Sequence, residues 1–570
     1  MMFQALIDLY DRLDEKVPPF GFSAESIGFV ITLDRAGNLV GQPEDLRTKI
    51  NAQKYVYRLS FVPYTNQVNV RSGNAATTPN FMVDKADYIF GMSGNSKKDA
   101  YRQAFKRRVA EVCGESDDAG VVAVKLFLDT WNPTDSSGLE GWKEICGTHG
   151  KMVAFRLEGD ADFIHERLAV KELWSAFIRN MKYKSGTCLV DGGKHKLQPQ
   201  YAQFPFGTGA SLVSFNKAAY ESYGKSKGEN APISVEAEFK SSAALKYLLR
   251  TEARRLHIGD ATTVFWAEKE SKVESFMGQV LNPSFEDQQA LIPVQKFLEA
   301  VHLGTLPRDI EGEGEIRFYI LGLSLNKARL ALRFWYVCTV SELMRRLQDH
   351  FRCLDMERSE RDIPFPGIWH LLKETARETK DISPVLGGAL VRAILTGANY
   401  PQNLYQGVLG RIRADHRVSY LRASIIKAVL QRNHKKEVTM TLDTERREVA
   451  YLLGRLFAVL ERAQLDALGK VNTTIKDRFF SSASATPASV FPRLIRLSQH
   501  HIEKSEYGHI SDQRISAILE FVREFPVHLN LQDQGLFTIA YYHQKNAIER
   551  EIKENAAKKK SAKIEGDENE

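Results

Sequence analysis

Cysteine is scarce in this chain: five in 570 residues (Cys113, Cys146, Cys188, Cys338, Cys353), far apart and without a C-x-x-C pair. That argues against a disulfide framework and a thiolate zinc site, and the expected setting is a reducing cytoplasm. No window approaches the roughly 18 unbroken apolar residues of a membrane span, so no membrane partner is expected. The opening, MMFQALIDLYDRLDEK, is acidic and amphipathic and does not read as a signal peptide.

Catalytic signatures are equally sparse. There is no H-E-x-x-H and no G-x-S-x-G. Tyr223-Gly224-Lys225-Ser226 ends like a phosphate-binding loop, but Ala219 stands where that motif needs its first glycine. Gly207-Thr208-Gly209 has Leu212 in place of the third glycine of a dinucleotide fingerprint. His500 and His501 are neighbours on a predicted helix, about 100° apart, and cannot act as an i, i+4 metal pair. Asp415-His416 has the reverse order of a nuclease doublet. No catalytic residue, metal or cofactor is assigned, and a non-catalytic binding subunit is the expectation.

What the chain does have is concentrated positive charge. The net charge of +7 is modest, yet residues 315–440 carry 21 Lys and Arg against 12 Asp and Glu. Residues 441–570 carry 19 of each, and residues 1–314 are slightly acidic. Within 405–436, Arg411, Arg413, Arg417, Arg422, Lys427, Arg432, Lys435 and Lys436 face a single acid, Asp415. Such a patch suits a polyanion, since each neutralised phosphate releases counterions. A solvated helix face with its acids elsewhere in the fold is the equal alternative.

The pattern predicts an α+β N-terminal part followed by an all-α C-terminal helical bundle. Strands are expected at 26–33 and 54–62, with a turn at Asp34–Asn38 between them, and at 262–269, 315–323 and 329–337. Helices are expected at 97–113, 162–180 (Leu168, Leu173, Trp174 and Phe177 on one side) and 238–257. From about 340 the chain reads as helical, with Ser383-Pro384 and Pro401 opening helices and 419–432 forming a basic one. Val449, Leu452, Leu453, Leu456, Phe457 and Leu460 mark a helix at 444–468, followed by others at 486–504, 512–525 and 533–553. The expected domains are 1–310, mixed α/β recognition; 311–439, a strand pair with the basic segment; 440–557, the bundle; and 558–570, a disordered charged tail.

Two stretches carry a resemblance: RSGNAATTPNFMVDKADYIFG from Arg71 and GTGASLVSFNKAAYESYGKSKGENAP from Gly207. With LIDLYDRL, ITLDRAGNLV, GDATTVFWAE and FTIAYYHQK, they resemble the large subunit of type I-C CRISPR surveillance complexes (Cascade), from residue 6 to residue 545. The resemblance implies recognition of a short protospacer-adjacent motif in duplex DNA, help with duplex opening and R-loop formation, and recruitment of a helicase–nuclease. Sequence reading beyond that motif is left to base pairing with the CRISPR RNA. The implied partners are CRISPR RNA, target double-stranded DNA, the Cascade backbone and handle-binding subunits, small subunits and the helicase–nuclease.

The residues fit that role chemically. Arg71, Ser72, Asn74, Thr77, Thr78 and Asn80 form a donor-rich loop able to read base edges or bind phosphates, while turn capping is the ordinary fate of such asparagines. In the second stretch, Gly207, Thr208 and Gly209 offer close backbone approach. Phe215, Asn216, Tyr220 and Tyr223 offer stacking and hydrogen bonds, and Lys217, Lys225 and Lys227 offer phosphate contacts. Core packing is the competing fate of the aromatics. Met440 stands at the junction before the bundle, a candidate internal start for a separate small subunit of the kind the resemblance implies. The alternatives are a nuclease with a dispersed site and a scaffold that binds only protein.

Overall fold

The computed structural model describes all residues except 52–53, 65–77, 93–94, 148, 205, 207–209, 216, 282–287, 306–309, 311, 327–328, 470–471 and 568–570. It divides into two compact units, one made of Met1–Thr251 with Leu323–Arg333, the other of Glu252–Gly322 with Phe334–Glu570. Residues 440–557 thus fall in the same unit as 334–439. The α+β part precedes an all-helical region that starts at about residue 340.

The first unit is organised by one long strand, Phe22–Leu33. Its first half pairs antiparallel with Arg58–Pro63 and its second half with Leu39–Asp45. Its other edge runs parallel to Met152–Leu157, which Val83–Asp84 extends. The tight return at Asp34–Asn38 arises as expected: the Asn38 N–H donates to the Asp34 carboxylate at 2.8 Å, and Gly37 takes the left-handed conformation. Helices Ser96–Cys113, Ala119–Thr130 and Leu168–Arg179 supply the core that includes Phe29, Ile31, Phe105, Phe127, Phe155 and Trp174. Asp118 starts the second of these by accepting from the N–H groups of Gly120 and Val121. Leu168, expected on the buried side of the third, is exposed. The inward stripe of that helix runs through Val170, Trp174 and Ile178, spaced by four, and Leu168 lies across the helix from it.

In the second unit, strands Arg329–Thr339, Arg317–Asn326, Ala261–Ala267 and Arg255–Ile258 lie side by side in that order, the tip of the first two being counted with the first unit. Thr339 and Glu342 form a capping box that turns the sheet's last strand into the helix Val340–Leu354. The C-terminal helices gather around Val449–Leu468, where Phe457 meets the rings of Phe480, Phe491, Phe537 and Tyr541. The core continues through position 440: Tyr405 donates to the Leu531 carbonyl at 2.8 Å, and Tyr542 to that of Glu357 at 2.7 Å. The last helix spans Leu531–Asp567, so most of the expected disordered tail is helical. Its Ala, Lys and Glu residues are strong helix formers, and they extend the helix beyond its packed part.

Candidate nucleic-acid interface

The segment after Ala210–Ser211 is exposed and rich in lysine, yet firmly tied. Asn230 is its hub: its side-chain carbonyl accepts from Ser222 N–H, and its amide donates to the carbonyls of Lys225 and Lys227. Glu229 accepts from both the N–H and the hydroxyl of Ser226, closing a capping box, and pairs with Lys184 at 2.5 Å. The Lys184 hydrogen bond and those from Ser226 pull the Glu229 carboxyl down to about 2. Gly228 is required here, because a Cβ would lie 2.2 Å from the Gln198 carbonyl oxygen.

This network holds Tyr223 in a left-handed backbone conformation (φ 53°) with its ring 98% exposed. A non-glycine residue in that region costs about 1 kcal/mol, and exposing the ring forgoes the usual gain from burial. Tyr220 is also exposed, and the Arg329 guanidinium lies 4.4 Å above its ring. Lys217, Lys225 and Lys227 are all exposed. Phe215 and Lys227 meet in a cleft of about 320 Å³, together with Gln200, Gln203, Ser211 and Ser214. Phe215 is half-buried, with packing and access shared.

The sequence reading missed a neighbouring element. Ser185–Thr187 and Lys194–Lys196 form a two-stranded ribbon around the Asp191-Gly192-Gly193 turn. Lys182, Lys184, Lys194 and Lys196 are exposed on it, and Lys184 ties it to Glu229. Residues 182–230 carry seven lysines against three acids. The available signal was the Lys-x-Lys spacing on both sides of the turn. A ribbon of this kind suits a nucleic-acid groove or backbone.

Burial corrects the reading of the first stretch. Asn80 is fully buried, its N–H donating to the Asp84 carboxylate at 2.8 Å, so it belongs to the turn before Val83–Asp84 and not to an accessible reading loop. Thr78 is half-buried beside it. Arg71, Ser72, Asn74, Thr77, Gly207, Thr208, Gly209 and Asn216 lie outside the described residues.

The basic helix, Tyr420–His434, is likewise no phosphate track along Arg422, Lys427 and Arg432, which are 5%, 2% and 9% exposed. Arg422 binds Asp415 at 2.6 Å and Glu374 at 2.7 Å. Lys427 donates to the carbonyls of Arg352 and Cys353, in the last turn of Val340–Leu354. Arg432 donates to the Ala393 carbonyl, in the last turn of Pro384–Thr396, and covers the Tyr400 ring at 4.2 Å. Two of the three cations therefore serve helix C-termini, where unpaired carbonyls and the dipole favour positive charge. Arg411 pairs with Asp415 and Arg413 with Gln534, while Arg413 and Arg417 remain exposed. Among the described residues, no three His, Cys, Asp or Glu side chains converge as a metal site, and no helix is long and apolar enough to cross a membrane.

Comparison with known families places the chain. A family model described as CRISPR-associated protein (Cas_Csd1) matches residues 6–549, nearly the whole chain, and the chain belongs to that family. It is accordingly a Cascade subunit, one that assembles with other CRISPR-associated subunits. No curated protein matches the sequence.

Proposed function

We propose that this protein is the non-catalytic large subunit of a type I-C Cascade, acting in the cytoplasm. In this reading it recognises the protospacer-adjacent motif in duplex DNA, aids duplex opening beside the CRISPR RNA and recruits the helicase–nuclease. The observation that carries the reading is the lysine surface of residues 182–227, with Tyr223 presented on a tied loop in a chain of this family. The expected result of replacing Lys217, Lys225 and Lys227 with Ala is weaker duplex binding for any sequence. The slope of log affinity against log salt should fall by about 0.7–0.9 per lost contact. A variant with the parent's slope in the assembled complex would remove this loop from the interface, and metal-dependent cleavage by the purified chain would favour the nuclease reading instead.

The C-terminal helices also serve as a separate small subunit made from an internal start at Met440. Met440 is exposed, outside any helix, and the described helices beyond it share an aromatic cluster around Phe457. Expressing the gene with Met440→Leu should abolish a 131-residue product visible by mass spectrometry with the parent gene. Its absence from the parent preparation would leave these helices solely as part of the large subunit.

A further inference from the structure

The first unit contains a cavity of about 260 Å³ between the helix Val235–Arg250, the start of strand Phe22–Leu33 and the strand Arg58–Pro63. Its described lining includes five aromatic residues, Phe22, Phe61, Tyr64, Phe239 and Tyr247, with Lys16, Lys246 and Arg250 as the charged ones. No Asp or Glu lines it among the described residues. Phe239 is fixed edge-on against Tyr10 and Phe20, Tyr64 is held by its N–H donating to the Gly21 carbonyl, and Arg250 is held by the Ala24 carbonyl at 2.8 Å.

Lys246 is the unusual member. Its ammonium makes no hydrogen bond or ion pair among the described residues. Burial lowers its pKa from the usual amine value, although Glu238 and Glu25 attract it from outside the cavity lining. Lys246 is half-buried and lines the cavity, where its ammonium can donate to an acceptor on a ligand. An aromatic slot with cations and no acids suits a flat ring carrying carbonyl acceptors next to a phosphate. Its volume is below the roughly 300–1,000 Å³ of pockets for drug-sized ligands and admits a single ring system.

We infer that this cavity receives one unpaired nucleobase of a nucleic-acid strand, with the ring against the aromatic walls, Lys246 donating to a base carbonyl or phosphate oxygen, and Lys16 and Arg250 meeting the flanking phosphates. The inference rests on the nucleic-acid reading above and adds a base-binding site to it. In the sequence, Tyr64 stands seven residues before Arg71, where the segment resembling a motif-reading loop begins. A protein that opens a duplex benefits from a site that holds an extruded base, because unstacking costs a few kcal/mol that must be recovered.

The test uses the full chain and a duplex with a single bulged adenosine, compared with the same duplex carrying an abasic residue at the bulge. The expected result is about tenfold tighter binding when the base is present, as for one stacked base. Lys246→Met, which removes the charge at similar length, and Ala243→Phe, which fills the cavity, should each reduce that preference to about twofold or less. Ala243→Phe should keep the parent's affinity for the abasic duplex, and a melting curve for each variant checks folding. Equal affinity for the two duplexes, or a preference that survives Lys246→Met, overturns the inference while leaving the lysine surface standing. Failure to bind either duplex overturns both readings. Adenosine monophosphate raising the melting temperature without any bulge preference would mark a free-nucleotide pocket and also overturn the inference.

Discussion

Replacing Arg422 with Ala is expected to lower stability by about 2–3 kcal/mol and to leave the salt dependence of nucleic-acid binding unchanged. The guanidinium satisfies Asp415 through two nitrogens and Glu374 through a third, and it also donates to the Arg417 carbonyl. Breaking a fully buried pair costs about 3–5 kcal/mol, but both carboxylates are partly exposed and water recovers part of the loss. Urea denaturation measures the first effect and a gel-shift salt series the second. A stable variant with a reduced salt slope would return Arg422 to the nucleic-acid surface.

The same substitution has a pH signature. Burial pushes the Asp415 carboxyl up, but hydrogen bonds from Arg422 and the Arg417 N–H, together with the charges of Arg422 and Arg411, outweigh it and hold it below its ordinary value. A carboxylate with a depressed folded-state pKa contributes stability that is present above the unfolded value of about 3.9. That contribution fades as pH falls through the lower folded value. The penalty of Arg422→Ala should therefore be constant near neutrality and shrink below about pH 4. A penalty that grew on acidification would contradict the pairing.

These buried cations also mark what a sequence can and cannot say. The density of positive charge at 405–436 was plain, but the partners of Arg422, Lys427 and Arg432 include Glu374, Arg352, Cys353 and Ala393, at sequence separations of 39 to 75. Two of those cations are answered by backbone carbonyls, which no count of acids detects. Local signals fared differently. The Asp34–Asn38 turn, the proline-led helix at Pro384 and the apolar spacing of Leu452, Leu453, Leu456 and Phe457 depend on neighbours within a few residues, and each led to the element observed. Asn80 was read as a donor on an exposed loop because its chemistry was visible and its burial was not. The ribbon at 185–196 went unread, although its lysine spacing was in view.

Gly454→Ala is expected to destabilise the C-terminal helices by about 2 kcal/mol, against the sign that helix propensity alone gives. Alanine in a helix interior normally gains about 1 kcal/mol over glycine. At position 454, however, the added Cβ would lie 2.1 Å from the Phe537 carbonyl oxygen and 2.8 Å from the Ala540 Cβ. The obstacle is backbone and cannot rotate away, so Val449–Leu468 and Leu531–Asp567 must separate where Leu453, Phe457, Phe537 and Tyr541 are buried. Parting that core forfeits contacts on both helices, which outweighs the propensity gain. Gly410 provides the control: it is exposed in the helix Gln402–Asp415, and its Cβ would meet nothing within 4 Å. Gly410→Ala should therefore stabilise by up to about 1 kcal/mol. Urea midpoints of the two variants, at unchanged transition slope, should move in opposite directions. If both move upward, the two helices do not approach as closely as the glycine implies, and the aromatic core around Phe457 has room that this packing denies it.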